Sequence, residues 1–326
     1  MNPDDHSEVE RHPTTRLIAP SAFAVQSSSL SGKSGAASLS VISNSALIVL
    51  KIVAGAVTGS IAILTEAVHS SIDLVASIVA YLSVRKADEP ADASHMYGHA
   101  KIENLSAAIE GMLILVGAGV IVYQAARRLA EGAQVDSLGF GIAAVAVSTV
   151  VNLGVSSYLY RQARFHDSPA LEGDAAHLRT DALTSFAVLT GLALVAATGA
   201  DELDAVVALV VAVAIVYAGI RILTRSSRVL VDEALPEEEL DIVRNAIAEY
   251  PGGELVSFHK LRGRRAGSAR YIDLHLQFAP GTTLERAHQI AHELQDTVRS
   301  RIKDAEVLVH IEPVNVPHTK PRAGVE

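Results

Sequence analysis

Residues 67–77 read AVHSSIDLVAS and place His69 and Asp73 one helical turn apart in an otherwise apolar stretch. Residues 176–185 read AHLRTDALTS and repeat that spacing with His177 and Asp181. Side chains four residues apart share one face of a helix, with Cβ atoms about 5–6 Å apart. The two stretches therefore predict two helices, each with a histidine and a carboxylate on the same face.

The sequence around both stretches is typical of membrane helices. Of the 326 residues, 49% are hydrophobic and 19% are charged, and the mean hydropathy is +0.30. A spanning helix needs about 20 mostly apolar residues. The alternative, a soluble helical bundle, would need a charged face on every helix, and residues 203–223 carry charges only near their ends. We predict six spans, at residues 36–57, 61–84, 105–126, 138–159, 178–198 and 203–223.

The distribution of basic residues predicts the orientation of these spans. An even number of spans puts both termini on one side, and cytoplasmic loops are enriched in Lys and Arg. The loops and flanks on the side of the termini hold most of the basic residues: Arg85, Lys86, Lys101, Arg161, Arg164, Arg221, Arg225 and Arg228. The opposite side has Arg127 and Arg128, so both termini are predicted to be cytoplasmic.

The remaining segments give the domain organisation. Residues 1–34 lack an apolar core typical of a signal peptide and are predicted to be a disordered tail. Residues 35–230 form the predicted membrane domain. Residues 231–317 alternate as helix, strand, strand, helix, strand, which predicts a cytosolic α+β domain, and residues 318–326 form a C-terminal tail. The net charge of −9 argues against nucleic acid as a partner, and the absence of cysteine excludes disulfides and thiolate metal sites.

The two His/Asp pairs are candidate metal ligands. A charged side chain at membrane depth costs several kcal/mol, so it marks a functional site by default. His69, Asp73, His177 and Asp181 together offer two imidazole nitrogens and two carboxylates, which suit a tetrahedral Zn²⁺. The alternative is that each histidine only bonds a neighbouring helix, which we would favour for one pair but not for two matched pairs.

Two further groups outside the spans have the same chemistry. Asp92, His95 and His99 lie together in the loop between the second and third spans, and they are either a metal site or simply solvated. The cytosolic domain holds a second group: His259, His275, His288, His292, His310 and Glu312. Residues two apart in a strand point to the same side, so His310 and Glu312 can share a ligand. His288 and His292 could equally be solvated residues on a helix.

Four motifs resemble those of the cation diffusion facilitator family of divalent metal/proton antiporters. They are TEAVHSSIDLVAS (65–77), ADASHMYGHAKIENLSA (91–107), DAAHLRTDALTS (174–185) and VDEALPEEEL (231–240). The resemblance extends from about residue 34 to residue 317. It implies six transmembrane helices followed by a metallochaperone-like αββαβ domain.

The resemblance also implies roles for individual residues. The transport site would comprise His69, Asp73, His177 and Asp181. Its histidine form is similar to that of zinc-preferring members, which places zinc ahead of iron, cobalt, nickel and manganese, with cadmium a further alternative cargo. Asp92 and His99 match a loop site, with His95 beside it. The matching cytosolic site, which bridges two subunits with zinc in similar proteins, comprises His259, His275, His288 and His310, with Glu312 where the family usually has Asp. Lys101 and Asp232 match a charge pair that interlocks span ends at the dimer interface.

The function implied is proton-coupled efflux of divalent metal by alternating access, in a homodimer in the plasma (inner) membrane. A metal sensor or scaffold is an alternative, although it would need no buried ligands. An intramembrane metalloenzyme is another, but the sequence has no HExxH motif, and we expect no enzymatic activity. The roles of Glu66 and Arg179 stay open. Glu66 could line a mouth of the site, and Arg179 is expected to point toward the interface or the lipid headgroups.

Overall fold

Six long helices precede a small α/β domain in the computed structural model, which describes residues 30–58, 61–131, 139–200 and 202–314. The helices have 27 to 31 residues each. Their bounds are α1 (Leu30–Thr58), α2 (Ile61–Ala87), α3 (Lys101–Glu131), α4 (Gly139–His166), α5 (Pro169–Thr198) and α6 (Glu202–Leu230). The predicted C-terminal tail and all but the end of the N-terminal one lie outside the described residues.

Four of the six helices are long and apolar enough to cross a membrane, within the described part of the chain. They correspond to Gly32–Val57, Lys101–Ala130, Pro169–Val195 and Glu202–Leu230. The helical membrane domain predicted from the sequence is therefore confirmed. Membrane crossing by α2 and α4 stays a prediction.

Helix α1 begins at Leu30, inside the segment predicted to be a disordered tail. Lys33 is buried there, and its Nζ lies 2.5 Å from Glu103 Oε1 and 3.0 Å from Asp88 Oδ1. The prediction was wrong for residues 30–34 because the acidic partners of Lys33, which are Glu103 in α3 and Asp88 just after α2, lie far away in the sequence. The partners offset the cost of burying this lysine.

Helix α5 occupies the centre of the membrane domain. It contacts each of the other five helices, while α3 packs chiefly along α6 and α1 along α2. Ser168 caps the N-terminus of α5, with Pro169 at a position where its missing N–H costs nothing. Because α5 is central, the side chains of His177 and Asp181 meet those of neighbouring helices inside the domain.

The C-terminal domain has the predicted αββαβ order. Its elements are α7 (Glu237–Ala248), β1 (Leu255–Ala266), β2 (Ala269–Phe278), α8 (Leu284–Arg301) and β3 (Ala305–Pro313). The strand order is β1-β2-β3; β1 pairs antiparallel to β2, and β3 pairs parallel to β2. The parallel pair requires a crossover, which α8 supplies.

Alternation along β2 separates a core face from a histidine face. Ile272, Leu274 and Leu276 are buried in one cluster with residues of α7 and α8. Successive strand residues point to opposite faces, so His275 lies on the face away from the helices. His259 of β1 and His310 of β3 are its register partners on the two sides.

The two domains touch at the N-terminal end of α3. The β1–β2 turn places Gly267 at φ 56°, and its backbone N–H donates to Asn104 Oδ1 at 2.8 Å. A Cβ at Gly267 would lie 2.6 Å from the carbonyl oxygen of Ala100, so glycine is required both for the turn and for the close approach. Nearby, the Tyr271 hydroxyl donates to the carbonyl oxygen of Tyr97 at 2.8 Å.

Candidate metal centres

The first candidate centre lies between α2 and α5. Asp73, His177 and Asp181 each offer one ligand atom, and these atoms all lie within 4.8 Å of one another. His177 Nε2 is 3.4 Å from Asp73 Oδ1 and 3.8 Å from Asp181 Oδ2. The His177 side chain is only 8% exposed. Helical spacing brings Asp181 next to His177, and the packing of α2 on α5 brings Asp73 to the other side of the same imidazole.

His69 belongs to α2, one turn before Asp73. Its side chain lies outside the part of the chain that the structure describes, and so does that of Glu66. The backbone position puts His69 on the same helix face as Asp73. Its role as the fourth ligand therefore stays a prediction.

A third carboxylate, which was not selected from the sequence, lies next to this cluster. Glu110 of α3 is fully buried, and its Oε2 lies 3.5 Å from His177 Nδ1. In the sequence it was only one polar interruption of the third span. The available signal was its charge at membrane depth, which alone marks a functional candidate.

The second candidate centre is the loop between α2 and α3. Asp92 Oδ1 accepts hydrogen bonds from the backbone N–H of Ser94 and of His95, at 2.8 and 2.7 Å, and from the Ser94 hydroxyl. These bonds, the Ser94 hydroxyl foremost, hold the pKa of Asp92 well below its usual range. Asp92 Oδ2 lies 3.2 Å from His99 Nε2, and the rings of His95 and His99 are 4.6 Å apart. All three predicted residues therefore come together, with the carboxylate ionised.

The third candidate centre is on the histidine face of the cytosolic sheet. Glu312 Oε1 lies 2.7 Å from His259 Nε2, and Oε2 lies 3.3 Å from His275 Nδ1. His310 is more distant, with its Nε2 4.0 Å from Glu312 Oε2. Cross-strand register explains the cluster, since the three histidines are side by side on adjacent strands. The Glu312 carboxylate contacts His259 and His275, and His310 lies at the edge of the cluster.

His288 does not join this cluster within the chain. It lies on α8, and its Nε2 is 3.1 Å from that of His292, one helical turn away. Within the described chain, His288 therefore lies apart from the cluster around Glu312. The i, i+4 spacing on a helix brings the pair together.

The predicted charge pair is formed within the chain. Lys101 Nζ lies 2.7 Å from Asp232 Oδ1, and Arg264 NH1 approaches the same oxygen at 3.0 Å. The hydrogen bond from Lys101, with that from Arg264, lowers the pKa of Asp232. Lys101 begins α3 and Asp232 follows α6, so the pair joins two helix ends to the cytosolic sheet.

Arg179, whose position the sequence left open, is exposed and lines a groove between α4, α5 and α6 together with Leu153 and Phe186. Lys51 of α1 is buried, and its Nζ donates to the Ser70 hydroxyl at 2.6 Å. Lys51 therefore has a partner inside the membrane domain, Ser70, which follows His69 in the sequence.

The three centres have the same chemistry. Each combines imidazole nitrogen with carboxylate oxygen, a donor set that suits Zn²⁺ and other first-row divalent ions. The first is enclosed within the membrane domain, and the other two lie in the loop and on the cytosolic sheet. The arrangement fits a protein that handles divalent cations on both sides of its domain boundary.

Family models match most of the chain. Residues 37–231 match the cation efflux transmembrane domain, and residues 235–314 match the cation efflux protein cytoplasmic domain. Two solved structures of CzrB, one described as a zinc form, each share 30% sequence identity with the chain. The zinc form corresponds to 28% of this chain and 99% of that chain, with a TM-score of 0.25, an overlap that carries no conclusion about the fold.

Relatives also match most of the chain. An uncharacterized transporter of Synechocystis sp. is 34% identical over 268 residues, which cover 82% of this chain and 86% of the relative. The cation-efflux pump FieF of Pectobacterium atrosepticum is 32% identical, covering 82% and 89%. FieF of Yersinia pestis (strain Pestoides F) is 34% identical, covering 83% and 90%. The chain therefore belongs to the cation diffusion facilitator family of cation efflux transporters and is an integral membrane protein.

Proposed function

We propose that this protein exports divalent transition-metal cations, Zn²⁺ foremost, from the cytoplasm in exchange for protons. The observation that carries the proposal is the cluster of Asp73, His177 and Asp181 inside the membrane domain. His69, one turn from Asp73, would complete a four-ligand N₂O₂ site. Two carboxylates balance the double charge of the ion, which matters where water is scarce.

The origin of the ligands supports transport rather than storage. Asp73 comes from α2, whereas His177 and Asp181 come from α5. A site shared between helices can open to one side and then to the other as the helices rock, which is alternating access. A sensor or scaffold has no need to bury ligands at this depth.

Proton coupling follows from the ligands themselves. Metal binding needs neutral imidazole and ionised carboxylate, so protons compete with the ion. Histidine has an unperturbed pKa of about 6.5 and changes charge near neutral pH. Protons arriving from a more acidic exterior would displace the metal outward and move inward in its place.

The other two centres fit regulation by cytoplasmic metal. His259, His275, His310 and Glu312 would bind zinc together with His288 of a second copy, since His288 stands apart within one chain. The protein would then be a homodimer in the inner membrane, with both termini in the cytoplasm. The loop centre at Asp92, His95 and His99 would bind an additional ion at the cytoplasmic mouth.

Metal flux in proteoliposomes with an imposed pH gradient tests the proposal. We expect gradient-driven Zn²⁺ uptake into inside-out vesicles, lost in Asp73→Ala and kept in Asp296→Ala, an exposed aspartate on α8. Fe²⁺, Co²⁺, Ni²⁺, Cd²⁺ and Mn²⁺ are run in parallel. Flux of another ion instead of Zn²⁺ would overturn the zinc assignment alone. Absence of flux for every ion, from folded protein that still binds metal, would favour the sensor or scaffold.

A further inference from the structure

Glu110 is a buried carboxylate in the membrane domain with no hydrogen-bonded partner among the described residues. Its residue exposure is 0%, and neither Oε1 nor Oε2 has a hydrogen bond there. Burying a carboxylate without a compensating bond is costly. By contrast Glu103, two turns earlier on α3, is paired with Lys33 and Ser168. The free-energy cost of burying the Glu110 carboxylate therefore suggests that it has a partner in the functional state.

The group that faces Glu110 is His177, and its two ring nitrogens face different carboxylates. Nε2 lies between Asp73 Oδ1 at 3.4 Å and Asp181 Oδ2 at 3.8 Å. Nδ1 lies 3.5 Å from Glu110 Oε2 and has no hydrogen bond within the described residues. A metal-binding histidine uses one nitrogen for the ion and donates the N–H of the other to a nearby acceptor, often a carboxylate.

The packing of α3 on α5 keeps Glu110 at this position. A Cβ added at Gly173 would lie 3.1 Å from Ala107 Cα and 3.2 Å from the Glu110 Cβ and Cγ atoms. The glycine lets the two helices approach closely, one turn before His177. Glu110 therefore faces the Nδ1 edge of the ring at short range.

We propose that Glu110 is a positioning residue for the transport site, accepting the Nδ1–H of His177 so that the Nε2 lone pair faces the ion. This inference rests on the proposed function, since it assigns the metal to Nε2. The proposal requires this 3.5 Å separation to shorten to hydrogen-bonding distance when the ion binds. Glu110 itself does not ligate the ion.

The first test identifies which ring nitrogen of His177 binds the metal ion. The full chain, labelled with ¹⁵N-histidine in lipid nanodiscs, is titrated with ¹¹³Cd²⁺, and His177 signals are assigned with His177→Ala. We expect one-bond cadmium coupling at Nε2 of His177 and a slowly exchanging proton at Nδ1. Coupling at Nδ1 would overturn the inference while leaving the transport site in place. Absence of any coupling to His177 would overturn the proposed site together with it.

The second test separates positioning from direct ligation. Glu110→Ala should weaken Cd²⁺ binding at His177 about ten- to a hundredfold and speed exchange of the Nδ1 proton. Glu110→Gln should recover most of the affinity, because its carbonyl oxygen still accepts from Nδ1–H. Glu172→Gln on α5, where the partner Arg225 is exposed, is the matched control and should leave the affinity unchanged.

Two results would contradict this assignment. If Glu110→Gln weakens binding as much as Asp73→Asn, the carboxylate is itself a ligand. If Glu110→Ala changes neither the affinity nor proton exchange, the residue has no role at the site. Should Glu110→Ala fail to fold, Gly173→Ala serves in its place, since the added methyl displaces Glu110 without removing it. The Cd²⁺ affinity of Gly173→Ala must then fall below that of the Glu172→Gln control, and an unchanged affinity would overturn the inference.

Discussion

At the scale of single residues, carboxylates organise the histidines of this protein. Asp92 holds its loop through backbone N–H groups, and Glu312 reaches His259 and His275 with its two oxygens. Glu312 also accepts a hydrogen bond from Gln277, which fixes its orientation. The family resemblance suggested Asp here. The longer side chain still reaches His275 on the neighbouring strand β2 and His259 on β1 beyond it.

Glu312→Gln should weaken cytosolic zinc binding at least tenfold, because the substitution keeps the size of the side chain but removes its charge. Isothermal titration of the full chain with Zn²⁺ measures this as the loss of one class of sites. Glu306→Gln, an exposed position on the same strand, is the control. Equal zinc binding by Glu312→Gln and the control would show that the carboxylate is not a ligand.

Spacing predicted part of the candidate sites and could not predict the rest. The i, i+4 pairs and the loop triad follow from local sequence, and the structure brings their described members together. Glu110 was missed because a lone glutamate in an apolar span has no local partner; its partner His177 is on another helix. His288 was grouped with the sheet histidines by resemblance, and the single chain leaves it apart.

At the scale of elements, α3 is the connection between the two domains. Its first turns contact the β1–β2 turn through Asn104 and Gly267, and Lys101 pairs with Asp232. Farther along the same helix, Glu110 adjoins His177. The helix thus joins the cytosolic sheet to the membrane site without an intervening loop.

Gly267→Ala should destabilise the docking of the two domains. An alanine at φ 56° costs about 1–2 kcal/mol, and its Cβ would also overlap the carbonyl oxygen of Ala100. Thermal unfolding of the full chain in nanodiscs should show a lower midpoint. Gly253→Ala is the control, since no atom lies within 4 Å of the added Cβ. Equal midpoints for the two variants would mean that the turn does not anchor α3.

Element types were predictable, whereas some boundaries and pairings were not. Periodicity predicted the αββαβ order, because each short amphipathic element is bounded by turn residues. The fifth span was predicted to begin at residue 178, whereas α5 begins at Pro169. Ser168 and Pro169 were the missed signal for a helix start. The parallel pairing of β2 and β3 depends on α8 and has no local sequence signal.

At the scale of the whole molecule, the α2–α3 and α4–α5 loops lie at the same end as the C-terminal domain. The α2–α3 loop contacts the sheet through Tyr97, and Asp167 after α4 lies 3.1 Å from Arg270 of β2. Lys303 also donates to the carbonyl oxygen of Phe165. These loops, which the basic residues predict to be inside, therefore lie at the end that carries the cytosolic domain.

Because the chain has no cysteine, single cysteines can test this topology directly. Met96→Cys should react with a membrane-impermeant maleimide only in everted vesicles, and Glu202→Cys only in intact cells. Three helices separate the two positions, so they should lie on opposite sides. Labelling of both from one side would refute an odd number of crossings and, with it, the six-span arrangement. Labelling with the two sides exchanged would reverse the orientation.

The contact between the β1–β2 turn and α3 also has a practical consequence. Asn104 and Glu110 are six residues apart, about 9 Å along one helix. An antibody fragment that binds this turn from the cytoplasm would restrain the movement of α3, the helix that carries Glu110 next to the membrane site. A fragment that binds the exposed segment at Gly253 would not restrain α3. It could be used to image the protein without inhibiting transport.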